Sequence, residues 1–106
     1  MINQDDFKKI DLRVGRVVEA REIEKSDKLL LLKIDIGEET RQVLAGIRKY
    51  YKPNEIIGKN VVVVINLEPK EMLGFKSEGM LLAAESEGRP IFLTTEREAL
   101  PGSLIL

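Results

Sequence analysis

Hydrophobic and polar residues alternate along much of this chain, and a two-residue period is typical of half-buried β-strands. In the first such stretch Leu12, Val14, Val18 and Ala20 are predicted to share the buried face. Gly15 interrupts the alternation, and a glycine inside a strand usually marks a bulge or a sharp bend. The pattern therefore predicts one long, bent strand near the N-terminus.

Further strands follow at regular spacing. The second strand alternates, and a turn at 37–40 joins it to the third, which is predicted to return antiparallel. The fourth is β-branched and apolar on both faces, which predicts a central, covered strand. The last two form a hairpin that turns at Glu87-Gly88, and residues 66–77 are predicted to be a loop. The predicted strand segments are 30–36, 41–45, 61–65, 79–84 and 90–94.

Two short helical turns complete the pattern. Asn3 can cap a turn at the N-terminus, and a second helical stretch between the third and fourth strands is interrupted by Pro53. Five main strands with a helical connection after the third match an all-β fold, the five-stranded Greek-key oligonucleotide/oligosaccharide-binding (OB) barrel. No linker or repeat is visible, so residues 1–106 are predicted to form a single domain.

Composition lowers the expectation of catalysis. The chain has no Cys and no His, so it lacks thiolate ligands, disulfides and the commonest general base, and no metal, cofactor or enzyme activity is expected. No segment approaches the roughly 20 apolar residues of a membrane span, and the polar N-terminus is unlike a signal peptide. A cytoplasmic protein is expected, and the Lys and Glu richness suits a thermophile.

The charge is small overall but uneven along the chain. The net charge is −1, from 17 basic and 18 acidic residues. Residues 21–60 carry nine basic and seven acidic groups, whereas residues 81–106 carry two basic and four acidic ones. A basic face of modest strength is therefore compatible with the composition. The five aromatic residues are too few for an extended single-strand stacking surface.

Several short segments, in this order and spacing, resemble the tRNA-binding domain that is appended to bacterial and archaeal methionyl-tRNA synthetases and to the cytokine-like polypeptides of multisynthetase complexes. The resemblance extends over roughly residues 7–84. The segments are Phe7, Asp11-Leu12-Arg13-Val14-Gly15, Asp27-Lys28-Leu29, Ala45-Gly46-Ile47, Asn66-Leu67-Glu68-Pro69-Lys70 and Gly74-Phe75-Lys76-Ser77-Glu78-Gly79-Met80.

This resemblance implies an OB barrel that binds tRNA by shape and backbone contacts and that often dimerises through its terminal segments. Since the chain begins at Met1 without a synthetase domain, we expect a separate methionyl-tRNA synthetase chain as a possible partner, with this chain as its β subunit or trans-acting partner. The candidate tRNA-binding residues are Lys28, Lys33, Arg41, Asn66, Lys70, Lys76, Ser77 and Met80.

The residue types suit this task, although each has an alternative. Lysines can meet phosphates, and the polarizable side chain of Met80 can contact a base or sugar. Met80 could equally belong to the core, and Asn66 could cap its own turn. Glu68 and Glu71 lie close to Lys70, where they lower the local positive potential.

A second interpretation stays open. The segment Gly74-Phe75-Lys76-Ser77-Glu78 is also similar to the CsaA-like export chaperones, which share the fold and bind peptides. In that case a groove near Phe75 and Met80 would receive apolar side chains.

The C-terminal residues 101–106 are largely apolar, and such an end is expected to be buried. It could pack on its own barrel, or across a two-fold axis against the N-terminal turn at Ile2 and Phe7, which predicts a homodimer.

Overall fold

The computed structural model describes residues 1–106 as two short helices and nine strands. The helices are α1 (Gln4–Phe7) and α2 (Pro53–Ile56). The strands are β1 (Leu12–Glu22), β2 (Leu30–Asp35), β3 (Thr40–Ala45), β4 (Asn60–Val64), β5 (Lys70–Met72), β6 (Phe75–Ser77), β7 (Met80–Leu81), β8 (Ala83–Ser86) and β9 (Arg89–Phe92).

Five antiparallel strands form the main sheet, in the order β3-β2-β1-β4-β7. Strand β1 is long enough to pair with β4 through its first half and with β2 through its second half. The two edges approach each other where the backbone N–H of Glu78 donates to the carbonyl of Gln42 at 2.7 Å. The sheet is thus a nearly closed barrel, which confirms the predicted all-β OB fold.

The barrel is filled by one large apolar core, and a smaller cluster lies outside it. Side chains at alternate positions of β2 enter the large core, whereas Leu31 points to the outer face of the sheet. There Leu31 packs with Ile23 and Leu44 in a buried cluster, called here the outer cluster. The barrel core consists of Val17, Ala20, Leu30, Leu32, Ile34, Ile36, Val43, Ala45, Ile47, Ile56, Val61 and Val63.

The prediction that Leu12, Val14, Val18 and Ala20 share one buried face is wrong: Ala20 belongs to the barrel core, Val14 is buried outside that core, and Val18 is exposed. Val17 is fully buried, whereas Val18 is 51% exposed. The pairing of β1 with β2 shifts register between Val17 and Glu19, so a bulge inverts the alternation there. The bulge does not lie at Gly15 itself, where a Cβ would clash with Cγ2 of Ile34, so glycine permits the close approach of β1 and β2.

The segment 66–77, predicted as a loop, contains a β-hairpin. Strands β5 and β6 pair antiparallel across a two-residue turn at Leu73 and Gly74. Both turn residues have positive φ, 52° and 84°, as in the tight turns that suit the twist of a hairpin. Each strand has only three residues, which is too short for a periodic pattern to be read from the sequence.

The predicted N-terminal cap and the predicted turn of the final hairpin are confirmed. The side chain of Asn3 accepts a hydrogen bond from the backbone N–H of Asp6 at 2.8 Å and caps α1. The final hairpin turns at Glu87 and Gly88, although the strand before it breaks at Leu82. Strand β7 therefore belongs to the main sheet, while β8 pairs with β9 alone. Neither helix is long and apolar enough to cross a membrane.

The C-terminal tail lies beside the beginning of β1. Backbone hydrogen bonds of 2.7 to 3.0 Å join Gly102, Ser103 and Ile105 of the tail to Leu12 and Val14. The backbone of the tail is therefore held on its own barrel, which agrees with one of the two predicted locations.

Candidate nucleic-acid interface

The first part of the candidate site is the β1–β2 loop, residues 23–29. Within it the hydroxyl of Ser26 accepts hydrogen bonds from two backbone N–H groups, including that of Lys28 at 3.1 Å. From outside the loop, the guanidinium of Arg48 donates to the carbonyls of Ile23, at 3.0 Å, and Ser26. These contacts fix the backbone from which the exposed Lys25 and Lys28 project.

The second part is the β5–β6 hairpin, which folds across the outer face of β2 and β3. The hydroxyl of Ser77, which is buried, accepts a hydrogen bond from the backbone N–H of Leu44 at 3.0 Å. The side-chain amide of Gln42 donates to the carbonyl of Lys76 at 2.9 Å. Beneath these bonds Phe75 packs against the outer cluster. The hairpin is thus attached to the barrel by polar and apolar contacts together.

The β1–β2 loop and the hairpin meet at a cleft of about 630 Å³, lined by residues 21–25 and 73–75. On its lining the guanidinium carbon of Arg21 lies 5.5 Å from the centre of the Phe75 ring, within the range of a cation–π contact. Lys25 adds a second cation and Glu24 a carboxylate. The loop and the hairpin therefore border an open recess that carries charged side chains and an aromatic ring.

Four of the predicted site residues are lysines whose side chains make no hydrogen bond or ion pair within the protein. Lys28, Lys70 and Lys76 are exposed, and Lys33 is half-buried. Lys33 stands opposite Gln42, whose amide holds the backbone of Lys76. Three of these lysines thus lie on or beside the contact between β2–β3 and the hairpin, and Lys28 lies on the adjacent loop.

Met80 lies elsewhere on the surface. It opens β7 opposite Val64, and its side chain is 48% exposed, so it is not a core residue.

Arg41 is engaged within the fold. One of its terminal nitrogens donates to the carbonyl of Ile65 at 2.8 Å and to that of Glu78 at 3.1 Å. Its Nε forms an ion pair of 3.1 Å with Glu39. These bonds connect β3 to the chain segments on either side of the hairpin, so the side chain closes the barrel.

Asn66 and Ser77 are also engaged internally. The side chain of Asn66 accepts from the backbone N–H of Asp11 at 2.8 Å and donates to the carbonyl of Lys9 at 2.7 Å. It therefore holds the chain entering β1 and does not cap its own turn. The hydroxyl of Ser77 donates to the carbonyl of Gly79 at 3.2 Å in addition to its bond to β3. Both side chains are thus used within the fold, Asn66 at the start of β1 and Ser77 between the hairpin and β3.

Acidic residues moderate the positive potential of this face. Glu71 stands directly opposite Lys76 in the hairpin, and Glu19 stands opposite Lys33 across β1 and β2, although neither carboxylate forms an ion pair with the lysine. Opposite charges at facing positions attract each other, and each reduces the field available to a phosphate. The face is basic in places and not uniformly so.

Arg13 lies outside this face, and its side chain bonds to other parts of the barrel. Its hydrogen bond of 2.7 Å to Asp11, supported by the charges of Asp11 and Glu38, raises the pKa of the Arg13 guanidinium. The same side chain donates to the carbonyl of Gly102 at 3.2 Å and so helps to hold the tail. No group of three or more acidic residues is placed to hold a metal ion.

Three residues of this face are not among the predicted site residues: Arg21, Lys25 and Gln42. Arg21 and Lys25 belong to the basic segment 21–60, so the uneven charge along the chain could have indicated them. Gln42 carries no such signal, because its role depends on the hairpin that folds over β3.

The fold is that of a small OB-type barrel domain, in which oligonucleotides lie on the face of the second and third strands and on the loops between strands 1 and 2 and between strands 4 and 5. Residues 12–104 match the family described as "Putative tRNA binding domain". The chain belongs to this family.

Methionine–tRNA ligases contain similar sequences. The chain is 47% identical over 104 residues to the enzyme of Caldanaerobacter subterraneus subsp. tengcongensis, covering 98% of this chain and 16% of that protein. It is 52% identical over 100 residues to the enzyme of Methanocaldococcus jannaschii, covering 93% of this chain and 15% of that protein. The chain therefore spans about one sixth of the length of these relatives.

Solved structures of similar length also match. A MetRS-related protein from Pyrococcus horikoshii superposes with a TM-score of 0.95 at 34% identity, covering 100% of this chain and 98% of that one. The chaperone CsaA from Bacillus anthracis superposes with a TM-score of 0.91 at 37% identity, covering 100% and 99%.

Proposed function

We propose that this chain binds tRNA without catalysing a reaction, through the face formed by the β1–β2 loop, strands β2 and β3, and the β5–β6 hairpin. The main support is that four predicted lysines without protein partners lie on elements that pack against one another. Ammonium groups that are free of carboxylate partners can replace the counterions of a phosphate backbone. Membership of the tRNA-binding family gives the ligand class.

In this proposal the candidate residues divide into two groups. Lys28, Lys33, Lys70 and Lys76 contact phosphates, which positions the RNA without reading its sequence. Met80 offers an exposed apolar contact at a separate place on the surface, in β7 opposite Val64. The remaining candidates are engaged internally: Arg41 and Ser77 connect β3 to the hairpin and its flanking residues, and Asn66 holds the chain entering β1.

We further propose that the protein is a homodimer. An open groove of about 660 Å³ runs between α1 and the tail, and Phe7, Ile10, Leu104 and Leu106 are apolar residues on its lining. All four are exposed in the single chain. A second copy laid against the groove would cover them, and two binding faces on one assembly would strengthen a weak single-face contact.

The proposed partner is a methionyl-tRNA synthetase catalytic chain in the cytoplasm, which this protein would serve as β subunit or trans-acting partner. The similarity to methionine–tRNA ligases supports this assignment. Held near the catalytic chain, the domain would raise the local concentration of tRNA. The measurement is the KM for tRNA of a synthetase lacking such a domain, which should fall when the protein is added. Thermophilic origin stays a prediction.

The test of the main proposal is a gel-shift titration of the purified protein with bulk tRNA at low and high salt. An apolar peptide serves as competitor. Salt-sensitive binding that the peptide does not displace supports tRNA as the ligand. No shift at low salt would overturn the proposal.

A second candidate function is that of a peptide-binding chaperone. The structural match to CsaA along its whole length favours it. In the structure Phe75 is packed against the outer cluster and under Arg21, so the apolar surface available to a peptide near it is small. Peptide binding that is insensitive to salt, in a protein that does not shift tRNA, would make this function the leading one.

A further inference from the structure

The arginines of this chain are almost all paired, and the exception is Arg21. Six of the seven arginines form ion pairs with carboxylates. Arg21, which is exposed near the end of β1, has neither an ion pair nor a side-chain hydrogen bond to the protein. Its five N–H donors are therefore free.

The contact that Arg21 does make fixes the orientation of its side chain. Its guanidinium rests against the ring of Phe75, at 5.5 Å from the ring centre. Phe75 is held in turn by the outer cluster, so the ring cannot move away freely. A planar cation packed on an aromatic ring loses little further freedom when a second planar group stacks on its open face.

The charged groups of the cleft around Arg21 suit a nucleotide better than a bare phosphate. Of the charged groups on the cleft lining, Glu22 is already paired with Arg48 at 3.4 Å. The cleft thus retains two cations, Arg21 and Lys25, and one unpaired carboxylate, Glu24. Such a carboxylate repels a phosphate but can accept a hydrogen bond from the amino group of a base.

We propose that Arg21, backed by Phe75, is a stacking platform for one unpaired base of the bound RNA, with Lys25 beside the adjoining phosphate and Glu24 at the base edge. Unpaired bases are commonly recognised by stacking on aromatic rings or arginine planes. This inference rests on the proposed function for its ligand class and adds to backbone binding a contact that only single-stranded nucleotides can make.

The test uses a short single-stranded RNA that carries the fluorescent base 2-aminopurine, whose emission is quenched when it stacks. The full chain should quench this probe, and an abasic RNA of the same length should compete poorly. Arg21→Lys keeps the charge but removes the plane, so quenching should disappear and affinity for the probe should fall about tenfold, within the range of one lost stacked base. The salt dependence of binding should stay as in the unmodified protein.

Two further variants sharpen the result. Phe75→Leu retains an apolar side chain on the outer cluster but removes the ring, and it should weaken quenching in the same direction. Arg97→Lys is the matched control, because Arg97 is exposed and pairs only with its neighbour Glu96. It should quench as the unmodified protein does.

The outcomes separate this inference from the proposed function. If the protein binds tRNA while Arg21→Lys quenches the probe undiminished, the platform is wrong and tRNA binding stands. If the protein quenches the probe in an Arg21-dependent way but does not bind tRNA, the proposed function fails and the platform stands. A chain that never quenches the probe overturns the platform.

Discussion

The hydroxyl of Ser77 accepts a hydrogen bond from the backbone N–H of Leu44 at 3.0 Å and so fastens the β5–β6 hairpin to β3. Both residues are buried, so water cannot readily replace this acceptor. We expect Ser77→Ala to lower the free energy of unfolding by about 1–3 kcal/mol, the cost of a buried donor without a partner. Urea denaturation measures the change.

The matched control is Ser86→Ala, because Ser86 is exposed in β8 and its hydroxyl has no partner in the protein. This substitution should alter stability by less than about 0.5 kcal/mol, as is usual at surface positions. Equal effects of the two substitutions would contradict the role assigned to Ser77.

Lys70 and Lys76 test the proposed contact with tRNA. Each is exposed on the hairpin and has no internal partner for its ammonium group. We expect Lys70→Ala and Lys76→Ala each to weaken binding of all tRNA species alike and to reduce the salt slope of log K by about one. Affinity titrations at several salt concentrations measure both effects.

Lys59→Ala is the control for this pair, since Lys59 is exposed and precedes β4 at the end opposite to the hairpin. It should leave the salt slope unchanged. If the two hairpin variants bind like the unmodified protein, the hairpin does not belong to the interface.

The fold could be predicted because its signals are local. Strand alternation, the Asn3 cap and the turn at Glu87-Gly88 act within a few residues, and all are present in the structure. The bulge that buries Val17 and exposes Val18 could not be predicted, because it arises from the pairing of two strands and leaves no mark in either sequence.

Less of the site than of the fold could be predicted, because the contacts of its side chains also join residues that are distant in sequence. Lysines can be recognised as candidate phosphate contacts from residue type alone. Whether an amide or hydroxyl is available depends on distant residues: Asn66 is used by residues 55 and 57 positions away, and Ser77 by one 33 positions away. Arg21 could not be singled out, because the sequence does not show that its guanidinium lacks a carboxylate partner and lies against the ring of Phe75.

Gly102 provides a test of how the tail is held. Its φ is 91°, and an added Cβ would lie 2.5 Å from the carbonyl oxygen of Ile36. We expect Gly102→Ala to lower the free energy of unfolding by at least about 1–2 kcal/mol, because left-handed backbone alone costs that much for a residue with a side chain. Chemical denaturation measures it.

Gly46→Ala is the matched control, since a Cβ there would meet nothing within 4 Å and its φ is not positive. The free energy of unfolding should stay the same or rise by up to about 1 kcal/mol, because alanine lowers the conformational entropy of the unfolded chain. If Gly102→Ala is as stable as the unmodified protein, the attachment of the tail at Gly102 contributes nothing to the free energy of unfolding.

Leu104 decides whether the groove beside the tail is the dimer interface. Its side chain is 60% exposed on the groove lining, while its backbone bridges to Arg13. Deleting residues 104–106 should convert a dimer to a monomer, but it also removes a backbone hydrogen bond of Ile105 to β1. Leu104→Asp is therefore the cleaner variant, because it places a charge in the interface and leaves the backbone pairing in place.

We expect Leu104→Asp to have half the mass of the unmodified protein in sedimentation equilibrium at the same concentration, since a buried unpaired carboxylate costs several kcal/mol. Ile91→Asp is the control, because Ile91 is similarly exposed, at 49%, but lies in β9 away from the groove. It should remain a dimer. If Leu104→Asp also remains a dimer, the copies associate through another surface. In that case the apolar groove between α1 and the tail has no part in the assembly.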